Sequence, residues 1–588
     1  MASSNLALGA IEIYTTCLRG YTIVTAALTE SDDQQLLYQR MRTQRARLTV
    51  WGENWGIDPH TAAASRHHPR YSSTGKLQSH LESGIRTGNE ILDTLNAIAD
   101  LFVNGRVLHD AYGLAKIAEA QERRELRDPD VADIALNGIS RLPMSKLRLD
   151  KNRLAIDYLG HCRWIIHDPS RFEILLERLR HHTDDLYNLS PPQSREMMDR
   201  ALVAELLAGH SHVQTLLHIH NAAADDAADR SPPTKGFFSD SYMTLSQAAK
   251  LRARAHIDPF LRRRLIRPPT VLVREDFVLH PTTTWNASNS ACLATTAHLP
   301  ERLVLIEFSS YLVAKRPQRR LEDSIHSLAE LLAASSKPAE FRLLPCSGYF
   351  HDATHGRYGF VYDLPSYLRP STPSSSLSLR RPTTLHSLLH ALRDPIDLGA
   401  RFTLAKQLLA TLHIIHACGF THKNIRPSSI LFLAAESSDR KGPSKSRRVA
   451  LNKPFLMGWG VNVEEPDKAH EREKDLYSHP TRLRYPARPY IPAFDIFALG
   501  VVLLEIGLWQ SADSFAAEIT DFSTEEFRNV LRKRVVPDLR SQCGAVYEGV
   551  VQQCLGISGE EGRDLKEERE MEKMLVWDLM RGLWGCSA

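Results

Sequence analysis

The period of the apolar residues changes partway along the chain. Up to about residue 220, apolar positions recur at helical spacing, with short polar breaks and few β-branched runs. From about Val271, short runs such as TVLV and RLVLIEF have the texture of strands, and from about Asp397 the pattern is helical again. A chain of 588 residues is too long for one core. The fold expected is therefore multidomain: an N-terminal all-α helical bundle, then an α+β domain with strands first and helices after.

Candidate helices cover Leu6–Leu28, Asp33–Val50, Lys76–Phe102, Ile156–Ile166, Ser170–Leu186 and Gln193–Ile219. Asn221–Gly236 (NAAADDAADRSPPTKG) is expected to be a linker, and Phe237 to about Ile266 a helical brace. The expected division is residues 1–220, 221–269 and 270–588. Pro365–Pro382 and Glu436–Arg448 are low-complexity or polar inserts.

Net charge is +4, too weak for this length to imply a nucleic-acid partner. The 8 cysteines form no CxxC pair, which predicts a reducing, cytoplasmic setting. No run of 18 apolar residues suggests a membrane span. His210, His212, His218 and His220 lie close together, but residues two apart on a helix diverge, so no metal site is expected.

In the first helical segment, Ile13, Cys17, Tyr21, Val24 and Leu28 share one stripe, with Glu12, Thr16 and Arg19 opposite. About 23 helical residues reach about 35 Å, enough to cross a hydrocarbon core. Trp51 and Trp55 are expected to anchor the bundle core.

Four motifs in the second half occur in the order found in protein kinases. His422-Lys423-Asn424-Ile425-Arg426-Pro427-Ser428-Ser429 sits where that family has H-R-D-L-K-P-x-N. Gly458-Trp459-Gly460 sits where it has D-F-G, and AFDIFALGVVLLEIGLW resembles its buried large-lobe helix, with Asp495 at the family's Asp. VLIEFSSYL and YGFVYDLP resemble the strand bearing the phosphate-binding Lys and the hinge. The resemblance implies a two-lobed fold over residues 270–588, with His422, Trp459, Gly460 and Asp495 serving structure.

Phosphoryl transfer is mostly positioning and charge neutralisation. The catalytic base position holds Asn424, a poor proton acceptor. The two magnesium-ligand positions hold Ser429 and Gly458, and the phosphate-anchoring Lys position holds Glu307. Arg426 keeps one positive charge. One like-charge contact at about 4 Å costs roughly 4 kcal/mol at an effective dielectric near 20. The chain is thus expected to be a pseudokinase with no catalytic residue, no metal, and neither ATP nor magnesium as cofactor.

The segment Leu6–Ile57, with its apolar first helix and RLTVWGENWGI, is similar to fungal HeLo (prion-inhibition and propagation) domains. That resemblance implies a helical effector acting in non-self recognition or regulated cell death. It implies protein partners, including a sensor or further copies, and membrane lipid at the plasma membrane after activation. Two other readings stay open. One is an atypical active kinase that binds ATP, with Lys315 as a substitute anchor. The other is an adaptor without toxic activity.

Overall fold

The computed structural model describes residues 4–27, 34–57, 75–117, 163–228, 237–257, 268–280, 291–297, 302–310, 318–334, 337–365, 382–391, 396–433, 451–459, 476–517, 523–559 and 565–588. The chain divides into two compact units. The first comprises residues 1–210 and 214–246, the second 211–213 and 247–588.

The first unit is built from α1 (Ser4–Ala27), α2 (Gln35–Asn54), α3 (Gly75–Ser83), α4 (Ile85–Asp100), α5 (Gly105–Asp110), α6 (Pro169–Asn188), α7 (Pro192–Leu207) and α8 (Val213–Ala228). The first half of α9 (Phe237–His256) completes it. Helix starts follow local chemistry. Asp168 caps α6 by accepting from the Arg171 amide at 3.2 Å, with Pro169 at the first helical position. α1 packs on α2 and α4, while α2 also packs on α6 and α7. The close approach of α1 and α2 needs Gly52, because a β-carbon there would run into the Tyr14 ring.

The expected all-α bundle needs a correction. β1 (Leu114–Ile117) and β2 (Arg163–Ile166) form a two-stranded antiparallel sheet, so the end of the Ile156–Ile166 segment is a strand. The reason is a period of two: Trp164 and Ile166 are buried while Ile165 between them is exposed. The expected linker is also corrected at its start. α8 continues through Asn221 to Ala228, because Ala222, Ala223, Asp226 and Ala227 are buried and Asp226 pairs with Arg40 at 3.1 Å.

Arg47 of α2 lies in the middle of this unit, fully buried. Its guanidinium pairs with Asp184 at 2.7 Å, donates to Oε1 of the Gln44 side chain at 3.3 Å and lies 4.6 Å over the Tyr187 ring. Tyr242, from the first half of α9, flanks it at 5.8 Å.

The second unit carries a five-stranded antiparallel sheet of order β3-β4-β5-β7-β6. Its strands are β3 (Phe277–His280), β4 (Ala291–Thr296), β5 (Leu303–Ser310), β6 (Cys346–Asp352) and β7 (Arg357–Asp363). Phe277, Ala294, Ile306, Phe350 and Val361 form the core of one face. Helix α10 (Gln318–Ala333) packs against β6. A second antiparallel sheet joins β8 (Thr383–Thr384), β9 (Ile430–Phe432) and β10 (Pro454–Leu456), in the order β10-β9-β8. Among the helices are α11 (Leu385–Ala391), α12 (Leu398–Ala417), α13 (Pro480–Arg484) and α14 (Pro492–Leu508). α14 is apolar all round and buried from Ala493 to Leu508, packed on α12 and on the helix Ala545–Gly556. In the second half of α9, buried Arg252 donates to the Ala417 carbonyl at the end of α12 (3.2 Å).

Candidate functional site

The residues matched to kinase motifs come from four separate stretches, and the second unit brings them together. β5 presents Glu307, which faces Phe360 across the register with β7. The loop after α12 presents His422, Lys423 and Asn424, and a single 3₁₀ turn at Pro427–Ser429 follows. β10 leads directly to Gly458 and Trp459.

Asp495 organises the loop. Its carboxylate, on the first turn of α14, has no exposed surface. It accepts from the His422 amide at 2.7 Å, the Lys423 amide at 2.9 Å and the Tyr490 hydroxyl at 2.8 Å, and it lies 3.3 Å from Nε2 of His416. Burial alone would raise its pKa. The hydrogen bond and charge of His416, with help from His422 and Tyr490, win and hold it below the ordinary carboxylate range. Those amide bonds also hold Lys423 at φ 67°, a left-handed conformation that costs a side-chain-bearing residue about 1–2 kcal/mol.

His422 is buried, and burial pushes its imidazole down to about 4 despite the attraction of Asp495. Its ring lies 4.8 Å from Trp459, which stacks on Phe341 at 6.4 Å on its other side. His422 and Trp459 are both buried and in contact. Gly460 and Lys315 lie outside the described residues.

Gly458 is the meeting point. Its carbonyl accepts from the Asn424 amide nitrogen at 2.6 Å. A β-carbon on Gly458 would sit 3.1 Å from that nitrogen, 3.3 Å from the Ser429 β-carbon and 3.7 Å from Oε1 of Glu307. Gly458 also has φ 75°, so the position resists any side chain, a metal-binding aspartate included. The Ser429 hydroxyl is engaged locally, donating to the Arg426 carbonyl at 2.8 Å and accepting the Arg426 amide at 3.1 Å.

Glu307 accepts from the Tyr362 hydroxyl at 3.0 Å and from the Gly458 amide. No cation is paired with it among the described residues. Burial therefore dominates and raises its carboxyl to about 7, against those two hydrogen bonds. Tyr362 was not singled out in the sequence. Its phenol lies in an otherwise apolar strand, YGFVYD, and only the β5–β7 pairing brings it to Glu307.

In the first unit, Ile13, Cys17, Tyr21 and Val24 are all buried, while Leu28 lies outside the described residues. The buried surface of α1 is wider than one stripe. Ile11, Tyr14 and Leu18 are buried too, and so is Thr16, which the helical wheel placed on the polar side. The Thr16 hydroxyl donates back to the Glu12 carbonyl at 2.9 Å, which lets it enter the core. The Cys17 thiol donates to the Leu95 carbonyl at 3.2 Å, and burial raises its pKa. Trp51 and Trp55 are core residues. His210 contacts Arg42, and Nδ1 of His220 lies 2.7 Å from the Ser246 hydroxyl. Among the described residues no group of three or more His, Cys, Asp or Glu side chains is placed to hold a metal ion, and no helix is long and apolar enough to cross a membrane.

The first unit thus defines a helical-bundle protein with a small two-stranded ribbon and a buried arginine paired with a partly exposed aspartate. Residues 5–219 match the HeLo family, described as prion-inhibition and propagation, and the helical region fits that family. No curated protein matches the chain. The match ends in α8, so the first half of α9, with Tyr242 beside Arg47, adds to the compact unit beyond the matched residues.

Proposed function

We propose that the chain is a non-catalytic signalling protein in which a degenerate kinase-like domain regulates a HeLo-like helical effector. The setting follows from the family match: non-self recognition or regulated cell death of the fungal kind. One observation carries the non-catalytic part. Glu307, Asn424 and Ser429 converge on Gly458, so the place where a kinase gathers acidic metal ligands and a lysine holds one carboxylate, two neutral polar groups and a bare backbone. Positions up to 151 residues apart, paired by motif order alone, meet around Gly458, and this supports a kinase-like descent for the second unit.

The effector step has an energetic threshold. Ile13, Cys17, Tyr21 and Val24 are committed to the bundle core. Freeing such apolar side chains costs roughly 1.5–3 kcal/mol each, so about 6–12 kcal/mol for the stripe. Placing Glu12 in lipid adds about 2.5–3.5 kcal/mol. Membrane engagement by α1 therefore requires a partner or self-assembly that returns energy on that scale, and the resting protein keeps α1 folded in.

Two measurements test the proposal. Thermal unfolding with ATP, with and without magnesium, should show no magnesium-dependent stabilisation, and no autophosphorylation should accompany it. A magnesium-dependent shift with phosphate incorporation would replace this reading by an active kinase. Dye leakage from vesicles should appear on triggering and vanish when residues 1–30 are removed. Leakage absent under every trigger would leave an adaptor.

A further inference from the structure

The stretch Leu476–Phe494 contains three arginines, Arg482, Arg484 and Arg488, and no carboxylate. Arg484 and Arg488 are exposed, and none of the three forms an ion pair among the described residues. They sit on a fixed scaffold. The Tyr485 amide donates to the Thr481 carbonyl at 2.9 Å, and the Arg488 amide to the Tyr485 carbonyl at 3.1 Å. The Arg482 guanidinium bonds the carbonyls of Pro486 and Arg488, the latter at 2.9 Å. Pro480, Pro486 and Pro489 restrict the backbone further.

The guanidinium groups of Arg484 and Arg488 lie 5.5 and 4.4 Å from the centre of the Tyr485 ring. Tyr485 is 43% exposed, and neighbouring Leu483 is 39% exposed. The surface therefore combines cations that have no ion pair among the described residues with an outward aromatic and an outward aliphatic side chain. Nearby Lys423 is half-buried, drawn to Asp495 and repelled by Arg482. Stacking on Tyr485 and the carbonyl bonds of Arg482 hold the arginines in place without neutralising their charge, which stays available to an anionic partner.

We propose that the loop Arg482–Arg488 is a docking surface for an anionic phospholipid bilayer. The arginines would meet headgroup phosphates, with Tyr485 and Leu483 seated at the headgroup level. Interfacial segments combine these residue types because charge draws them to the surface and amphipathic side chains hold them there. An acidic peptide would also satisfy the arginines, and the test below separates it from a bilayer. The surface lies on the second unit and does not depend on α1. Binding here is peripheral and reversible, because three cations near an acidic membrane give only modest affinity.

The test uses the full chain and cosedimentation with phosphatidylcholine vesicles, with and without phosphatidylserine. Binding should require phosphatidylserine and weaken with salt. Each exposed arginine contributes roughly fivefold near such a surface, so R484A/R488A should lose about 25-fold. R484K/R488K should stay within about threefold, because a bilayer responds to charge and not to the guanidinium fork. Y485A should lose several-fold with every charge in place. Melting temperatures of the variants serve as the folding control. Equal binding by R484A/R488A, or no binding to phosphatidylserine vesicles, would overturn the proposal. So would capture of a poly-glutamate peptide by the same arginines without vesicle binding, which would assign the surface to an acidic protein. Dye leakage, read in parallel, reports on α1 and so separates failure of this surface from failure of the effector reading.

Discussion

Two buried sites, one in each unit, treat charge in opposite ways. In the first, Arg47 and Asp184 form an ion pair at 2.7 Å deep in the bundle, and Arg40 pairs with Asp226 at 3.1 Å. Asp199 of the same unit, held by the Ser241 side chain, is raised by burial to about 7. In the second, Glu307 has only a phenol and a backbone amide, and its carboxyl rises to about 7. Asp495, as deeply buried as Arg47, has four polar partners and stays ionised. A paired charge fixes one packing, whereas a charge left on hydrogen bonds alone changes state near neutral pH. On that contrast the Arg47–Asp184 pair fixes one arrangement, while Glu307, like Asp199, is a place where charge can change near neutral pH.

The largest effect should come from breaking the pair in the bundle. R47M leaves half-buried Asp184 without its partner; removing one member of a buried pair typically costs about 3–5 kcal/mol, and the low end is expected here because Asp184 keeps 23% exposure. Urea unfolding followed by a probe in the first unit should show this loss. A loss below about 1 kcal/mol would mean that Arg47 is not the organising charge, and the contrast would fall. Next comes D495N, which removes the charge that holds the His422 and Lys423 amides. Hydrogen bonds to a charged group are worth about 1.5–3 kcal/mol each, so a loss of at least about 3 kcal/mol is expected in the second unit's transition. G52A should cost about 1–3 kcal/mol in the first unit by pushing the Tyr14 ring out of its seat against α2.

How much of this could be read from the residues depends on whether the deciding partner was local. The α1 stripe followed from helical spacing, and Asp495 followed from a motif whose neighbours are fixed. Arg47 did not. QRMRTQRARLTV reads as a polar helix face, and only Asp184, on a different helix, makes burial of that arginine tolerable. The β1–β2 pair was missed for the same reason, since four-residue strands carry too few positions for a period of two to stand out. The first turns of the expected linker, NAAADDAA, read as loosely packing because small residues and aspartates carry no apolar stripe. In the fold those alanines fit close to neighbours and Asp226 finds Arg40. Within the cleft, motif order named Glu307, Asn424, Ser429 and Gly458 but not Tyr362, whose role exists only through strand register.

Glu307 and His422 predict a pH signature. Glu307 has a folded pKa raised from 4.5 to about 7, so its contribution to stability is present at low pH and is lost as pH rises through that window. His422 has a folded pKa lowered from 6.5 to about 4, so its contribution is present above that window and is lost as pH falls. The two slopes oppose each other over nearly the same range and largely cancel. E307Q removes one of them. Its stability should climb, relative to the parent, as pH goes from 4.5 to 7, with a limiting slope of about 1.4 kcal/mol per pH unit for one proton. H422F should show the reverse, relative to the parent, between 4 and 6.5. Parallel curves for parent and E307Q would show that Glu307 stays ionised in the fold and would erase the contrast with Asp495.

The smallest expected effect is the sharpest check on the proposed pseudokinase. Restoring two missing acids with N424D/G458D supplies, on paper, a base and a magnesium ligand. The geometry argues that it should achieve nothing. Gly458 is left-handed, and a β-carbon there already sits 3.1 Å from the Asn424 amide nitrogen, so an aspartate must move the loop before it can aim at a metal. Glu307 remains beside residue 458, and two new carboxylates raise the repulsion toward a triphosphate. Magnesium with ATP should therefore leave the melting temperature of N424D/G458D unchanged, while the substitution itself lowers stability through strain at residue 458. A magnesium-dependent rise in this variant alone would mean that the cleft kept its architecture for nucleotide and lost only its acids.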